Sequence, residues 1–523
     1  MSLDEFLHNL HFDIDKVSPP DNVVDWEDSP LTYKLYRGLH DFPLSLEVPL
    51  KLDEQAVPSK PNQSSIGHFL WYVFGLNQIS QSVITMEQEV DLMQSYRRYV
   101  PSGGALYPNE LYVYLKLEDL PSGVYHYDVA HHRLVLLREG NFDFYINQAL
   151  GNRIDLSTCF GTVFISTMFW KNFFKYNNFS YRLQGLDTGV LIGQLLEVAK
   201  RFGFETGVYF QFLDRAINHL LGLSEKEESV YAVIPLTVDA TNWNLNQSAR
   251  YGSVNSEELS SKLYEIKINN YYLRSKRILE YPMVTKLNEE SFIESTEAIS
   301  KIKPKKNMTC EGHKVTLPNV NRLPYDLASA LQNRFSPDMD FTMGKVNQLE
   351  LATLLREATA SFSYRNDLDS DLKEPEPRIS LYGCFNNIEG IQNGAYFYDS
   401  TTHSLRQIDP GDHRLNLQYG MSADNVNLIQ VPLCFHVAGD KDHYKTSLDL
   451  RGYRIQQMEA GMLVQRLLLV ASAIGWGGHP LLGFSASVSD QIYKLDSRQK
   501  TSLIQIPIGP YRPRPWLRGS LRC

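Results

Sequence analysis

The sequence predicts an α+β fold built twice in tandem, and three observations predict it. Gly123-Val124-Tyr125-His126-Tyr127-Asp128 returns as Gly394-Ala395-Tyr396-Phe397-Tyr398-Asp399. Tyr181-Arg182 returns as Tyr453-Arg454, and one offset then carries Gly189 to Gly461, Ala199 to Ala471, Gly203 to Gly475 and Pro235 to Pro507. Within each copy the apolar positions switch from the three-and-four spacing of a helix to the near-continuous run of a buried strand. Unrelated segments do not hold one register from a Tyr-Arg pair to a proline in a last strand, so roughly 180 residues at either end share one fold.

Each copy opens on a leucine-rich helix and continues into two or three strands that carry Gly-x-Tyr-x-Tyr-Asp as a turn. Leu111–Leu115 reads as a buried strand behind the bend Pro101-Ser102-Gly103-Gly104, where two glycines after a proline-serine corner let a flat ligand approach the backbone. An apolar strand follows at Thr162–Ser166, or within Leu428–Val437 in the second copy. A helix from near Leu186 to Arg201, or Met458 to Ala473, covers the sheet, and the last strand is Ser229–Leu236 or Ser502–Ile508. The copies are placed at 61–237 and 316–510. Residues 1–60, broken by Pro19, Pro20, Pro30 and Pro43, read as a cap or docking segment. Residues 238–315, polar around Asn242 and Asn244 and basic over Lys301–Lys306, read as a linker or a peptide-docking segment, and 511–523 as a tail.

At 523 residues the chain exceeds one ordinary core. A formal charge of -9 with no long basic stripe excludes a general nucleic-acid binder and argues against an anionic membrane surface. Asp4 and Glu5 stand where a signal peptide carries positive charge, and no apolar run reaches membrane length, so a cytoplasmic protein is expected. The cysteines Cys159, Cys310, Cys384, Cys434 and Cys523 contain no Cys-x-x-Cys pair and the histidines no zinc-like spacing, so no metal site is expected. His131 and His132 are adjacent, which suits a turn.

One set of motifs goes further. It comprises Arg97-Arg98-Tyr99-Val100-Pro101-Ser102-Gly103-Gly104-Ala105-Leu106-Tyr107-Pro108, the Gly123–Asp128 pattern, and Phe169-Trp170 with Lys175-Tyr176. Tyr181-Arg182, Leu186-Asp187-Thr188-Gly189, and Phe212-Leu213-Asp214 before Leu220-Leu221-Gly222-Leu223 complete it. With these the sequence resembles the nitroreductase-like flavoproteins, and within them the SagB-type thiazoline/oxazoline dehydrogenases of ribosomal peptide biosynthesis. The tandem layout resembles the cyanobactin thiazoline oxidases. The resemblance is strong over 60–236 and weaker over 322–510.

The resemblance implies FMN at the interface of two such folds. One fold supplies an Arg-x-Ser phosphate clamp and a glycine segment, the other the Pro-Ser corner. Here the second copy has Arg334-Phe335-Ser336, expected before a helix, and Gly477-Gly478; at the bend it reads Phe362-Ser363-Tyr364-Arg365-Asn366-Asp367. The first copy has Pro101, Ser102, Gly103 and Gly104, with Arg98 reaching phosphate or substrate, and nothing like the clamp before Ser64. Complementary losses imply one FMN site per chain, its partner copy drawn from the same chain or from a second one in a homodimer.

In the resembling dehydrogenases a Lys-Tyr pair lies on the substrate side of the flavin, which assigns catalysis to Lys175 and Tyr176; the second copy has Ser447 and Leu448 there. The implied reaction aromatises a thiazoline, with oxazoline left open, in a precursor peptide, and dioxygen reoxidises the flavin. A proton leaves the former Cα and a hydride the former Cβ. A lysine base needs its pKa lowered by burial or by cationic neighbours, for which Lys171 and Arg182 are nearby; which of Lys175 and Tyr176 is the base stays open. A heterocyclase is the partner that such a substrate suggests. Two other classes stay open: a general NAD(P)H nitroreductase and a non-catalytic peptide-binding scaffold.

Overall fold

The computed structural model describes all residues except 20–22, 53–58, 87–88, 240, 244–251, 267–270, 303–311, 361–363, 370–376, 515–516 and 521–523. Asn244, most of Lys301–Lys306, Phe362, Ser363, Cys310 and Cys523 therefore lie outside the described residues.

Two seven-stranded sheets share one topology, every neighbour antiparallel. Edge to edge the first runs Asp41–Pro43, Arg133–Glu139, Gly123–Asp128, Asn109–Leu115, Gly161–Met168, Glu228–Thr237 and Glu205–Thr206. The second runs Lys314–Thr316, Ser404–Pro410, Gly394–Asp399, Ser380–Phe385, Leu433–Asp440, Lys500–Gly509 and Gly477–Gly478. Even the irregularities repeat: the register slips at Val124/Tyr125 and Ala395/Tyr396, and at Ile165/Ser166 and Val437/Ala438. A bulge bends its strand and re-aims side chains, so it is inherited with the fold.

Gly-x-Tyr-x-Tyr-Asp, expected to be a turn, is a complete strand in both copies. Its last tyrosine explains its persistence. Tyr127 Oη and Tyr398 Oη lie 2.8 Å from Nδ1 of His132 and His403, whose Nε2 reaches the carbonyl of Ser45 or Pro318 just past the edge strand. The turn is where the adjacent histidines were expected to lie, with His132 at φ +48°. The edge strand Asp41–Pro43 comes from the segment read as a cap.

The long helices, Ser180–Arg201 and Arg451–Ala473, begin earlier than their spacing suggested and are buried on every side over most of their length. Each touches strands of its own sheet and also packs against the other. They approach backbone to backbone: a Cβ on Gly189 would overlap the carbonyl oxygen of Met458, and one on Gly461 that of Leu186. The Tyr181 and Tyr453 rings stack at 6.0 Å and 19°. Each adjacent arginine crosses to the opposite copy: Arg182 donates to the carbonyl of Leu503 at 2.6 Å, and Arg454 lies over the ring of Tyr231 at 4.7 Å. Leu503 and Tyr231 are the residues skipped by the two central bulges. The repeated Tyr-Arg pair is thus the pseudo-twofold contact itself.

A third sheet joins the copies. The hairpin Leu76–Met86 and Glu89–Arg98 leaves the helix Gln63–Phe74 and delivers the chain to Pro101; Leu517–Ser520, beyond the second copy, pairs with it.

Candidate active site

The Pro101–Gly104 bend contains a 3-10 turn, Gly103–Ala105, with Gly104 at φ +64° and Ala105 N donating to Ser102 O at 3.0 Å. Asp187 of the first long helix pins it. Ser102 Oγ donates to the carboxylate at 2.6 Å and Gly103 N at 3.1 Å, while Tyr107 N donates to Ser102 Oγ at 2.9 Å. Burial raises the Asp187 pKa to about 6, opposed by the Ser102 and Gly103 donors. The second copy keeps the device in altered form: Glu459, one repeat later, accepts from Tyr364 Oη at 2.7 Å.

Lys175 and Tyr176 end the short helix Trp170–Tyr176, which Asn177 breaks at φ +48°; Asp449 breaks its counterpart, Lys445–Leu448, at φ +49°. The kink brings both side chains to the bend. A Cβ on Gly104 would lie 2.5 Å from Tyr176 Oη and 3.0 Å from Lys175 Nζ, so a side chain here would sit at a left-handed φ and push both groups aside. Burial lowers the Lys175 pKa; burial, with the Asp187 charge behind it, pushes Tyr176 up to about 12. The cationic neighbours expected to act on Lys175 are engaged elsewhere. Lys171 pairs with buried Glu110 and donates to Tyr107 O at 3.2 Å, and Arg182 serves the copy interface.

Trp26 stands beside Lys175, its ring 5.3 Å from Lys175 Nζ and edge-on to Phe174 at 5.6 Å. The Asp28 carboxylate holds it there by accepting from Lys276 N at 2.7 Å and Arg277 N at 2.8 Å. Ser275 Oγ donates to Asp28 O at 2.7 Å and accepts from Trp170 Nε1 at 3.0 Å. The N-terminal and central segments therefore close together over the Lys175 helix. Sequence reasoning missed Trp26 and Asp187 as site residues. Asp187 was visible inside a repeated helix segment; Trp26 carried no signal beyond its place among prolines.

On the second copy's side, Arg334-Phe335-Ser336 follow the helix Leu327–Asn333 and lead into a 3-10 turn, Asp338–Asp340. Ser336 thus sits at no α-helix start, contrary to expectation. Arg334 Nε donates to Tyr99 O at 3.3 Å and Arg97 Nη2 to Arg334 O at 3.1 Å, which fastens this segment to the chain entering the bend. Arg334 is buried and, among the described residues, pairs with no carboxylate; burial, then the nearby Arg97, lower its pKa to about 9. Gly478 N donates to Phe335 O at 3.1 Å, and a Cβ on Gly477 would overlap Pro337. The Arg334 and Arg97 guanidiniums lie close enough for one to lower the pKa of the other, and two such forks side by side suit a phosphate monoester.

Arg98, expected with the cofactor residues, is instead sandwiched between Phe74 and Tyr107 at 3.8 and 4.7 Å, and donates to Thr32 O. Its Nε and Nη1 are buried without a partner, and burial lowers its pKa to about 10. Successive strand residues face opposite ways, which is why Arg97 and not Arg98 meets Arg334.

The pseudo-equivalent position holds a cavity of about 260 Å³ lined by Lys200, Glu205, Thr206, Tyr364, Arg365 and Arg466. Glu205–Thr206 occupies the strand register that Gly477–Gly478 holds in the other copy, so a carboxylate replaces a bare backbone. Arg466 is neutralised by Glu197, which Lys200 also contacts at 2.8 Å.

Residues 65–236 and 395–509, together more than half of the chain, match the Nitroreductase family. The chain belongs to that family. A solved structure of a nitroreductase-like protein from Anabaena variabilis superposes with a TM-score of 0.73 at 18% identity, over 98% of this chain and 100% of that one. This family member is 29% identical over 170 residues to the trifolitoxin-processing protein TfxB of Rhizobium leguminosarum bv. trifolii, covering 29% of this chain and 46% of that protein. The match thus spans less than half the length of its curated relative. A part of the chain is similar to the E. coli microcin synthetase McbBCD complex, solved with truncated pro-MccB17, at 24% identity and a TM-score of 0.28 over 34% of this chain and 63% of that one. Nitroreductase-fold proteins are typically flavin-dependent.

Proposed function

We propose that the protein oxidises thiazoline rings in a ribosomally made precursor peptide, with one FMN between its two copies and dioxygen as terminal acceptor. The observation that carries the reading is asymmetric. Lys175 and Tyr176 meet a glycine bend in one copy, while Ser447 and Leu448 occupy the same kinked helix in the other. The match to a trifolitoxin-processing protein supports a peptide as substrate.

Arg334, with Arg97 beside it and Gly477-Gly478 packed behind the segment that carries it, would hold the FMN phosphate; Ser102, Gly103 and Gly104 would meet the rest of the cofactor from the other copy. FMN, when bound, supplies the hydride acceptor. With its Nζ beside Gly104 and its pKa lowered by burial, Lys175 would be the base that takes the proton from the former Cα. Tyr176, its pKa pushed up to about 12, stays protonated at neutral pH and would donate a hydrogen bond to the ring nitrogen. The azoline itself requires a heterocyclase acting first.

Lys175→Ala and Tyr176→Phe should stay folded and yellow yet lose on the order of 10²–10⁴ in rate, read as the roughly two-dalton mass loss per oxidised ring, whereas Ser447→Ala should not. Undiminished peptide oxidation in both variants removes the pair from the mechanism. Turnover of NAD(P)H against nitroaromatics, with the azoline peptide left untouched, makes the protein a general nitroreductase.

A further inference from the structure

A second cavity, of about 400 Å³, opens beside the Lys175 helix. Its volume lies in the low part of the range of small-ligand pockets. Trp170, first residue of that helix, forms one wall; Ile278, Leu279 and Tyr281, from the segment leading into the helix Pro282–Glu290, form the other. Ile278 and Leu279 are 42% and 39% exposed, and Leu273 of the same lining is 37% exposed. Isolated exposed apolar residues mean little, whereas these three share one concavity rimmed by polar groups, the setting in which exposed apolar surface serves binding. The walls are fixed: Trp170 Nε1 donates to Ser275 Oγ at 3.0 Å, and Tyr271 Oη donates to Glu227 at 2.5 Å. Among the described residues of the lining, Glu227, Glu280 and Glu289 outnumber the cation Lys226.

We propose that this cavity is a subsite for the substrate peptide, taking an apolar side chain that stands next to basic residues. The inference rests on the peptide reading above and extends it to the flanking sequence. Position follows from the helix: Trp170 and Lys175 are five residues apart, roughly 7.5 Å along the axis. The helix also turns by about 140° between them, so an extended chain would need several residues to pass from the reacting ring to the cavity. Chemistry follows from the lining, which offers burial to the side chain and three carboxylates to its neighbours. Trp170 belongs both to the cavity lining and to the helix that carries Lys175, which puts the cavity within reach of a peptide held at the reacting pair.

Fluorescein-labelled decapeptides with a central Leu-Lys-Lys, Leu-Glu-Glu or Ser-Lys-Lys test this by anisotropy on the full chain. Wild type should bind Leu-Lys-Lys at least tenfold more tightly than the other two. Ile278→Asp should erase the preference for Leu over Ser, and Glu280→Lys with Glu289→Lys should erase that for Lys over Glu; all three positions are exposed, so folding is retained. Equal affinities in wild type, unchanged preferences in the variants, or self-association through this face seen by sedimentation would overturn the proposal. Lys175→Ala separates the two readings. It should keep the binding preference while abolishing oxidation, whereas a wild type that shows the preference but never oxidises azolines refutes the chemistry and leaves the subsite standing.

Discussion

Asp187 shows how the site trades stability for geometry. Its carboxylate is buried and accepts from Ser102 and Gly103, yet no cation compensates it, and its pKa rises from 3.8 to about 6. The folded state therefore binds this proton more tightly than the unfolded state. Stability from this group is greatest below pH 3.8 and falls as pH rises to about 6, by roughly 3 kcal/mol once both states are ionised. Asp187→Asn should then be more stable than wild type at pH 7.5 and lose that advantage at pH 4, measured by urea unfolding at the two values. It should also retain less FMN, because an amide cannot accept as strongly from both donors. Glu110 behaves oppositely. Burial alone would raise it, but Lys171 and His126 hold it at about 2, so its contribution is present above pH 4.5 and is lost as pH falls toward 2. At the phosphate end, Arg334→Ala should release FMN more readily than Lys175→Ala, since only the first removes a buried cation from the clamp; equal retention by gel filtration and absorbance would deny Arg334 that part.

At the scale of elements, the helix crossing is the most sensitive joint. Gly189 and Gly461 admit no Cβ without displacing the facing backbone, so Gly189→Ala should destabilise by at least the 1–3 kcal/mol typical of overpacking, visible as a lowered Tm. Because FMN would span the two copies, the same variant should lose cofactor before it unfolds. These glycines were legible in the sequence as a repeated offset, and so were both long helices, the central strands and the tandem design. The Gly-x-Tyr-x-Tyr-Asp strand was misread because its glycine and aspartate carry turn propensity, whereas the Tyr127–His132 bond that fixes its use is made across the hairpin. The helix expected after Ser336 failed for a related reason: the motif came with the family resemblance, and local sequence, Pro337 followed by Asp338 at φ +52°, decided otherwise. Lys175 and Tyr176 were singled out through resemblance; that they meet Gly104, and that Trp26 lies beside Lys175, are tertiary facts with no local trace. Among the described residues no helix is long and apolar enough to cross a membrane, and no cluster of metal-binding side chains occurs.

For the whole molecule, duplication within one chain has let two equivalent interface positions diverge. One keeps the glycine edge, the buried Arg334 and the Pro-Ser-Gly-Gly bend. The other has Glu205-Thr206 at the edge and an Arg466–Glu197–Lys200 network, so its cations are already neutralised and a carboxylate faces any incoming phosphate. At about 260 Å³ its cavity also falls below the usual range for small-ligand sites. The fully occupied protein should therefore contain one FMN per chain, measured as flavin absorbance against amino-acid analysis. Glu205→Gly with Glu197→Gln should not create a second site by itself, since the bend opposite is also missing from the second copy's sequence. A ratio near two in wild type would show that the degenerate position still binds flavin, and would end the argument that catalysis is confined to the cleft where Lys175 meets Gly104.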